Sequence, residues 1–269
     1  MTIHPSAKIH PAAIVEDGAV IGENCEIGAF SHIGADVTLG DRCILKTHVV
    51  VNGWTTIGND TSIYPFASVG HAPQDLKYAG ERTKLEIGFK NCIREGATLN
   101  PGTKGGGGIT KVGNNNLLMA NIHIGHDCIL GNNLIMANNA SMAGHVVVED
   151  NVIMGGLSAI HQFCRIGTGA MLAGFAAVAE DVIPYGMAHG NRADLAGLNL
   201  VGLKRRGFDK ADINNLRAAF KDVFHQDTDT LQQRLAKALT DYPDSGLVAQ
   251  MVTFAQAETS RGICTPKGR

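Results

Sequence analysis

Aliphatic side chains stand at every sixth position from Ile3 through Ile9, Val15, Ile21, Ile27, Ile33, Leu39, Leu45, Val51, Ile57 and Ile63 to Val69. The same phase returns at Ile87, Ile93 and Leu99. After a shift of one residue it runs from Val112 through Leu118, Ile124, Leu130, Met136, Met142, Val148, Met154, Ile160, Ile166 and Leu172 to Val178. An amphipathic helix repeats at 3.6 residues and a half-buried strand at 2, so a strict period of six is neither. It predicts a solenoid of short parallel strands, one flat side per hexad, with each aliphatic pointing inward. A small residue four places on (Ala7, Ala13, Cys25, Ser31, Cys43) fits the corner, and glycine after the aliphatic, as in Ile21-Gly22 and Ile57-Gly58, relieves the backbone where the chain turns. Three sides close one coil, and coils stack at about 4.8 Å. The general crossover rule predicts a right-handed coil.

Two stretches leave the pattern. Residues 71–86 are polar and charged, and residues 104–111 contain Gly105-Gly106-Gly107-Gly108. Loops that leave a regular scaffold often carry function, although a glycine run is equally consistent with a tolerated surface insertion. The period ends at Pro184. Beyond it Ile213, Leu216, Phe220, Val223 and Phe224 fall at helical spacing. Thr230-Leu231-Gln232-Gln233 reads as a capping box opening a helix with Leu231, Leu235 and Leu239 on one face. A further helix is expected over residues 246–257. The expected organisation is a β-solenoid over 1–184 and an α-helical domain over 185–269.

Composition narrows the class. Glycine supplies 33 of 269 residues and aromatics only 5%, while 44% are hydrophobic, so the core is built from stacked aliphatics. Glycine without a three-residue period excludes collagen, and the apolar content excludes disorder. A net charge of −2 gives no electrostatic footprint for nucleic acid. The six cysteines are scattered, which disfavours a disulfide framework. With neither a signal peptide nor an apolar run of membrane-spanning length, a soluble cytoplasmic protein is expected.

Eleven histidines are about twice the usual share. His145 and His161 lie within one residue of one and two coil lengths beyond His126. The spacing therefore predicts a column of His126, His145 and His161 on one face, with His123 just upstream and Asp127 and Gly144 beside it. A flat solenoid face makes no pocket alone, so a neighbouring subunit is the natural second wall. Two chemistries compete for the column. One is zinc held by three imidazoles with water in the fourth position. The other is general-base catalysis, with a carboxylate fixing the imidazole tautomer. Cys25, Cys43, Cys128 and Cys164 occupy the small inward position and are poor nucleophile candidates.

Six stretches are more specific than the hexad: residues 45–53, Gln74-Asp75-Leu76-Lys77-Tyr78-Ala79-Gly80-Glu81, His123-Ile124-Gly125-His126-Asp127-Cys128, Ala143-Gly144-His145, His161-Gln162-Phe163-Cys164 and Gly202-Leu203-Lys204-Arg205-Arg206-Gly207-Phe208. With them, nearly the whole chain resembles the left-handed parallel β-helix acyltransferases, and among these the UDP-N-acetylglucosamine O-acyltransferases that begin lipid A biosynthesis. The resemblance implies a left-handed coil and a homotrimer. It implies direct transfer of a 3-hydroxyacyl group from acyl carrier protein to the sugar 3-hydroxyl, with no metal and no cofactor beyond the carrier's phosphopantetheine. His126 is then the general base, Asp127 its orienting partner, and the Gly144 N–H an oxyanion donor. His123, His145, His161, Gln162, Asp75 and Lys77 are implied to contact substrate, and Asn199, Arg205 and Arg206 to serve the nucleotide phosphates or the acidic carrier. Gly174 is implied to lie where the acyl groove ends. Val201 and Arg192 depart from the family pattern, which commonly has Glu and His there.

Three alternatives stand beside this reading. The N-acyltransferase of the same pathway shares the coil and the His-x-x-His-Asp core, but carries a uridine-binding domain before its repeats, whereas repeats here begin at Ile3. A zinc-dependent carbonic-anhydrase-like coil is the second. A non-catalytic scaffold is the third, and it leaves the histidines and the polar loop unexplained.

Overall fold

The computed structural model describes residues 2–226 and 229–267; residues 1 and 269, at the ends of the two expected spans, lie outside them. The hexads form a parallel solenoid of three sheets, each with nine hexad strands, and two later strands extend one of them to eleven. Most strands are two residues long, one outward and one inward, as in Val20–Ile21, Glu26–Ile27 and His32–Ile33. The inward aliphatics stack rung over rung, Ile21 on Leu39 and Ile27 on Leu45, and are almost wholly buried. Branched aliphatics of similar size fill this narrow prism at crystal-like density, where alternating aromatics would not.

Corners and glycines divide the work differently from the sequence expectation. Most tight corners are turned by non-glycine residues with positive φ, such as Asn24, Phe30, Arg42, His48 and Asp60, with Gly18, Gly96 and Gly169 at the same position of three others. Asn and Asp tolerate this left-handed conformation best, which accounts for Asn115, Asn121, Asn133, Asn139 and Asn151 at such corners. The glycine after the aliphatic serves close stacking instead. A Cβ on Gly22 would lie 2.6 Å from the Gly40 carbonyl carbon, and one on Gly28 would lie 2.7 Å from that of Lys46.

The two loops explain the phase of the repeat. Ile63 pairs with Ile93, and at the next rung Ile93 pairs with Leu118. The first step spans 30 residues and the second 25, in place of 18. The first loop therefore adds two whole hexads and keeps the phase. The second adds a hexad and one residue, which is the shift seen at Val112. Both loops leave between the third and first sheets, after Ser68–Val69 and Thr98–Leu99, and return at Lys84–Ile87 and Ile109–Val112.

Past Pro184 the chain is not yet helical. Gly186–His189 adds in parallel to Met171–Leu172, and Asp194–Leu198 pairs antiparallel with it. These strands cover the open edge of the last coil, which would otherwise present unpaired backbone. Helices follow at α1 (Leu200–Arg205), α2 (Lys210–Phe224), α3 (Leu231–Asp241) and α4 (Gly246–Gln256). The Thr230–Gln233 capping box opens α3. Arg165 ties the coil to α4: it donates to the buried Asp181 carboxylate at 2.7 Å, lies over the Phe254 ring, and reaches the Phe254 carbonyl. No helix among the described residues is long and apolar enough to cross a membrane.

Candidate active site

The corner that releases the two loops also carries the histidines, on the coils that follow. Asp127, His145 and Phe163 occupy successive left-handed positions of that corner, with φ of 59°, 63° and 66°. His145 stacks on Phe163 with ring centroids 4.5 Å apart, and meets the His126 ring edge-on at 5.0 Å.

Asp127 is the fixed point. Its side chain is wholly buried. Its Oδ1 accepts the Thr103 N–H at 2.8 Å, and its Oδ2 accepts the Thr103 hydroxyl at 2.6 Å and His126 Nδ1–H at 2.8 Å. The Asp127 N–H in turn donates to Thr110 Oγ1. A carboxylate can only accept, so His126 carries its proton on Nδ1 and presents the Nε2 lone pair. Gly144 makes room for that imidazole: a Cβ there would lie 2.6 Å from His126 Nε2.

His123 sits half-buried on the neighbouring strand, its Nδ1 2.8 Å from Thr98 Oγ1. Burial, followed by the nearness of His126, holds its pKa below the ordinary imidazole value. Burial lowers the pKa of His145 as well, against an opposing pull from Asp127 and Asp75. Asp75 therefore acts on this corner from the first loop, where its Oδ1 accepts the Lys77 N–H; Lys77 itself is exposed. Glu81 of that loop accepts the Lys104 N–H at 3.1 Å, joining the two loops.

The column expected from spacing is corrected in part. His126 and His145 meet, but His161 stands in register with Gly125 and Ala143, and the residue above Gly144 is Gln162. A shift of one residue at a corner re-aims the side chain. The exposed His161 lines a separate cleft with Ala143, Ala159, Ala177, Glu180 and Arg192. The Gln162 carbonyl accepts from Arg261.

Asn199 and Arg206 already have partners within the chain. Asn199 is buried and caps α1, accepting the Gly202 N–H and donating to the Gly169 carbonyl. Arg206 is half-buried over Tyr185 and Phe208 and donates to the Gly202 carbonyl. Only Arg205 of this group is an exposed cation, in a cleft it shares with Val201, Asn133 and Ile153. Gly174 is exposed, and a Cβ there would touch only the Gly156 carbonyl, at 3.4 Å.

Thr103 and Thr110 stand in no motif read from the sequence, and Gly106 and Phe163 appear there only within longer stretches, with no role of their own. Phe163 lies one coil beyond His145, a signal available in the repeat. Both threonines flank the glycine run, but nothing in a one-dimensional pattern points them at Asp127.

Among the described residues, the grouping able to hold a metal is His126, Asp127 and His145, with ligand atoms within 4.8 Å of one another, rather than the three histidines of the zinc alternative. A cation on Asp127 Oδ2 would displace the Thr103 hydroxyl and the His126 Nδ1–H that already fill that oxygen. The thiols of Cys128 and Cys164 are buried and their pKa values pushed up to about 12, mainly by that burial.

A family model described as Udp N-acetylglucosamine O-acyltransferase, Domain 2, matches residues 181–264, and one for bacterial transferase hexapeptide repeats matches residues 1–35 and 18–53. A Rhizobium rhizogenes protein named as an acyl-(acyl-carrier-protein)–UDP-N-acetylglucosamine O-acyltransferase is 48% identical over 230 residues, covering 86% of this chain and 84% of that protein. One of the same name from Paracoccus denitrificans is 49% identical over 204 residues, covering 76% and 77%. The solved UDP-N-acetylglucosamine acyltransferase of Campylobacter jejuni superposes with a TM-score of 0.91 at 42% identity, covering 97% of this chain and all of that one. With this identity along the repeats, and with the fold shared from the first coil to the helices, the chain belongs to the acyl-(acyl-carrier-protein)–UDP-N-acetylglucosamine O-acyltransferase family.

Proposed function

We propose that the protein transfers a 3-hydroxyacyl group from acyl carrier protein to the 3-hydroxyl of UDP-N-acetylglucosamine, the first step of lipid A biosynthesis. The observation that carries the chemistry is the buried Asp127 carboxylate fixing His126 with its Nε2 lone pair free. His126 Nε2 removes the proton of the sugar hydroxyl as its oxygen attacks the thioester carbon. The carbonyl oxygen becomes an oxyanion, and the Gly144 N–H, which has no acceptor among the described residues, is the donor suited to it. Collapse breaks the carbon–sulfur bond, and the imidazolium returns its proton to the phosphopantetheine thiolate. No acyl-enzyme forms, in keeping with thiols too buried and too weakly acidic to attack.

The remaining roles follow by chemistry. His123, His145 and Gln162 at the corner, with Asp75 and Lys77 of the first loop, contact sugar, diphosphate or acyl groups, and His161 does so from the adjoining cleft. Arg205 pairs with phosphate or with the acidic carrier, while Asn199 and Arg206 hold the surface from which it projects. No metal takes part, and the enzyme works in the cytoplasm as a homotrimer whose neighbour walls the open corner. Incubating the purified protein with UDP-N-acetylglucosamine and a panel of 3-hydroxyacyl carriers should give the 3-O-acylated nucleotide sugar by mass spectrometry, undiminished by chelator. Absence of that product with every donor would refute the reading. Stoichiometric zinc required for turnover would refute the metal-free mechanism.

A further inference from the structure

The glycine turn that follows Thr103 has no role in the chemistry above, yet it lies directly on Asp127. Residues 104–106 form a single 3-10 turn that follows Thr103, with Gly107 left-handed at its end. Gly106 packs against the carboxylate so closely that a methyl group there would collide with it. The turn is held from both sides. The Lys84 N–H donates to the Gly108 carbonyl, and the Lys104 N–H donates to Glu81 Oε1. Thr103 is itself buried, and it supplies two of the three hydrogen bonds that Asp127 receives.

We propose that Thr103 is a positioning residue for catalysis: its hydroxyl and N–H clamp the Asp127 carboxylate, under the roof made by Gly106, so that His126 is held with its proton on Nδ1. This rests on the reading of His126 as the general base. The physical need is plain. A carboxylate bound through one oxygen to one imidazole can rotate and release it, and a free neutral imidazole prefers the proton on Nε2, where it cannot act as base. Two donors from one residue, one to each oxygen, remove that rotation. Burial beneath Gly106 keeps water from replacing either donor, and a bond to a charged acceptor is worth more there than at the surface. Orienting groups of this kind act through the residue they hold rather than on the substrate.

The test is Thr103→Val. It keeps the N–H, the volume and an extended backbone (φ −123°, ψ 158°) that valine adopts readily, and removes only the hydroxyl. The 15N shifts of the His126 ring in the neutral protein should show Nδ1–H in the parent and a mixture of tautomers in Thr103→Val. kcat should fall about tenfold with the KM for the nucleotide sugar unchanged. Thr103→Ser should restore both, and the Thr103→Val effect on kcat should vanish in an Asp127→Ala background. An unchanged His126 tautomer, or the same kcat loss without Asp127, would overturn the proposal even if the protein were stable. Should Thr103→Val fold poorly, Gly106→Ala displaces the same carboxylate and must shift the same 15N signals. The tautomer is read without turnover, so failure of the clamp is distinguishable from failure of the assigned reaction.

Discussion

Two corners of this solenoid share a backbone and differ in chemistry. At one, Phe30, His48 and Phe66 turn the chain with φ of 61°, 58° and 65° and stack their rings about 5 Å apart. At the other, Asp127, His145 and Phe163 turn the chain with almost the same angles, and His145 stacks on Phe163. His48 is exposed between two exposed phenylalanines and carries no ion pair among the described residues. His145 and His126 surround a carboxylate from which solvent is shut out. Neither the corner geometry nor the presence of histidine makes the difference. The loops do: both leave from the second corner, and one returns over Asp127 with Thr103 and Gly106. A regular coil offers a flat wall, and a site forms where chain leaves the wall and folds back on it.

The sharpest test removes the base. His126→Ala should lower kcat at least 100-fold while the thermal midpoint stays near that of the parent; near-normal turnover would mean that the second corner is no more catalytic than the first. Asp127→Ala should cost less turnover, roughly tenfold, but should also lower the midpoint measurably, because the Thr103 N–H and hydroxyl lose a buried acceptor at about 1–3 kcal/mol.

The first corner continues upward to Phe175, and a Cβ on the exposed Gly174 beside it would meet only the Gly156 carbonyl, at an ordinary contact distance of 3.4 Å. With the acyl groove ending at Gly174, as the family resemblance implies, the unmodified protein should prefer the longer of two 3-hydroxyacyl donors. Two further buried methylenes, at about 0.8 kcal/mol each, give roughly tenfold. Gly174→Met should reverse that order in a competition assay; loss of folding without a change of preference would leave Gly174 a packing glycine.

The pH dependence of stability separates the corners more gently. Burial holds the folded His123 and His145 below the ordinary imidazole pKa of 6.5. The unfolded chain then binds more protons than the folded one as the pH falls past that value. Stability is complete above about pH 6.5 and declines as the pH drops through the lower folded values. His123→Asn should flatten the fall in thermal midpoint between pH 7.5 and 5, and an unaltered slope would exclude His123 as a contributor. The smallest effect belongs to the first corner, where His48→Ala should change kcat less than twofold, measured beside His126→Ala in the same assay.

The hexad period by itself determined the solenoid, its three faces and its aliphatic core, because each inward position repeats the same local packing problem. It located both loops, and its one-residue phase shift encoded the odd length of the second. The capping box at Thr230 was legible for the same reason: every group involved lies within one turn of helix. Spacing also brought His126 and His145 together, and the neighbouring motif supplied Asp127. It misplaced His161, which falls one residue short of the His126 register, whereas His145 falls one residue past it and stands over Asp127. Only the tertiary structure decided that Thr103 clamps Asp127 from 24 residues away. It also decided that the glycine run roofs that carboxylate. These contacts obey no period. They depend on where two loops of unlike length dock, which is set by hydrogen bonds such as Lys104 to Glu81 that form only once the coils beneath them have stacked.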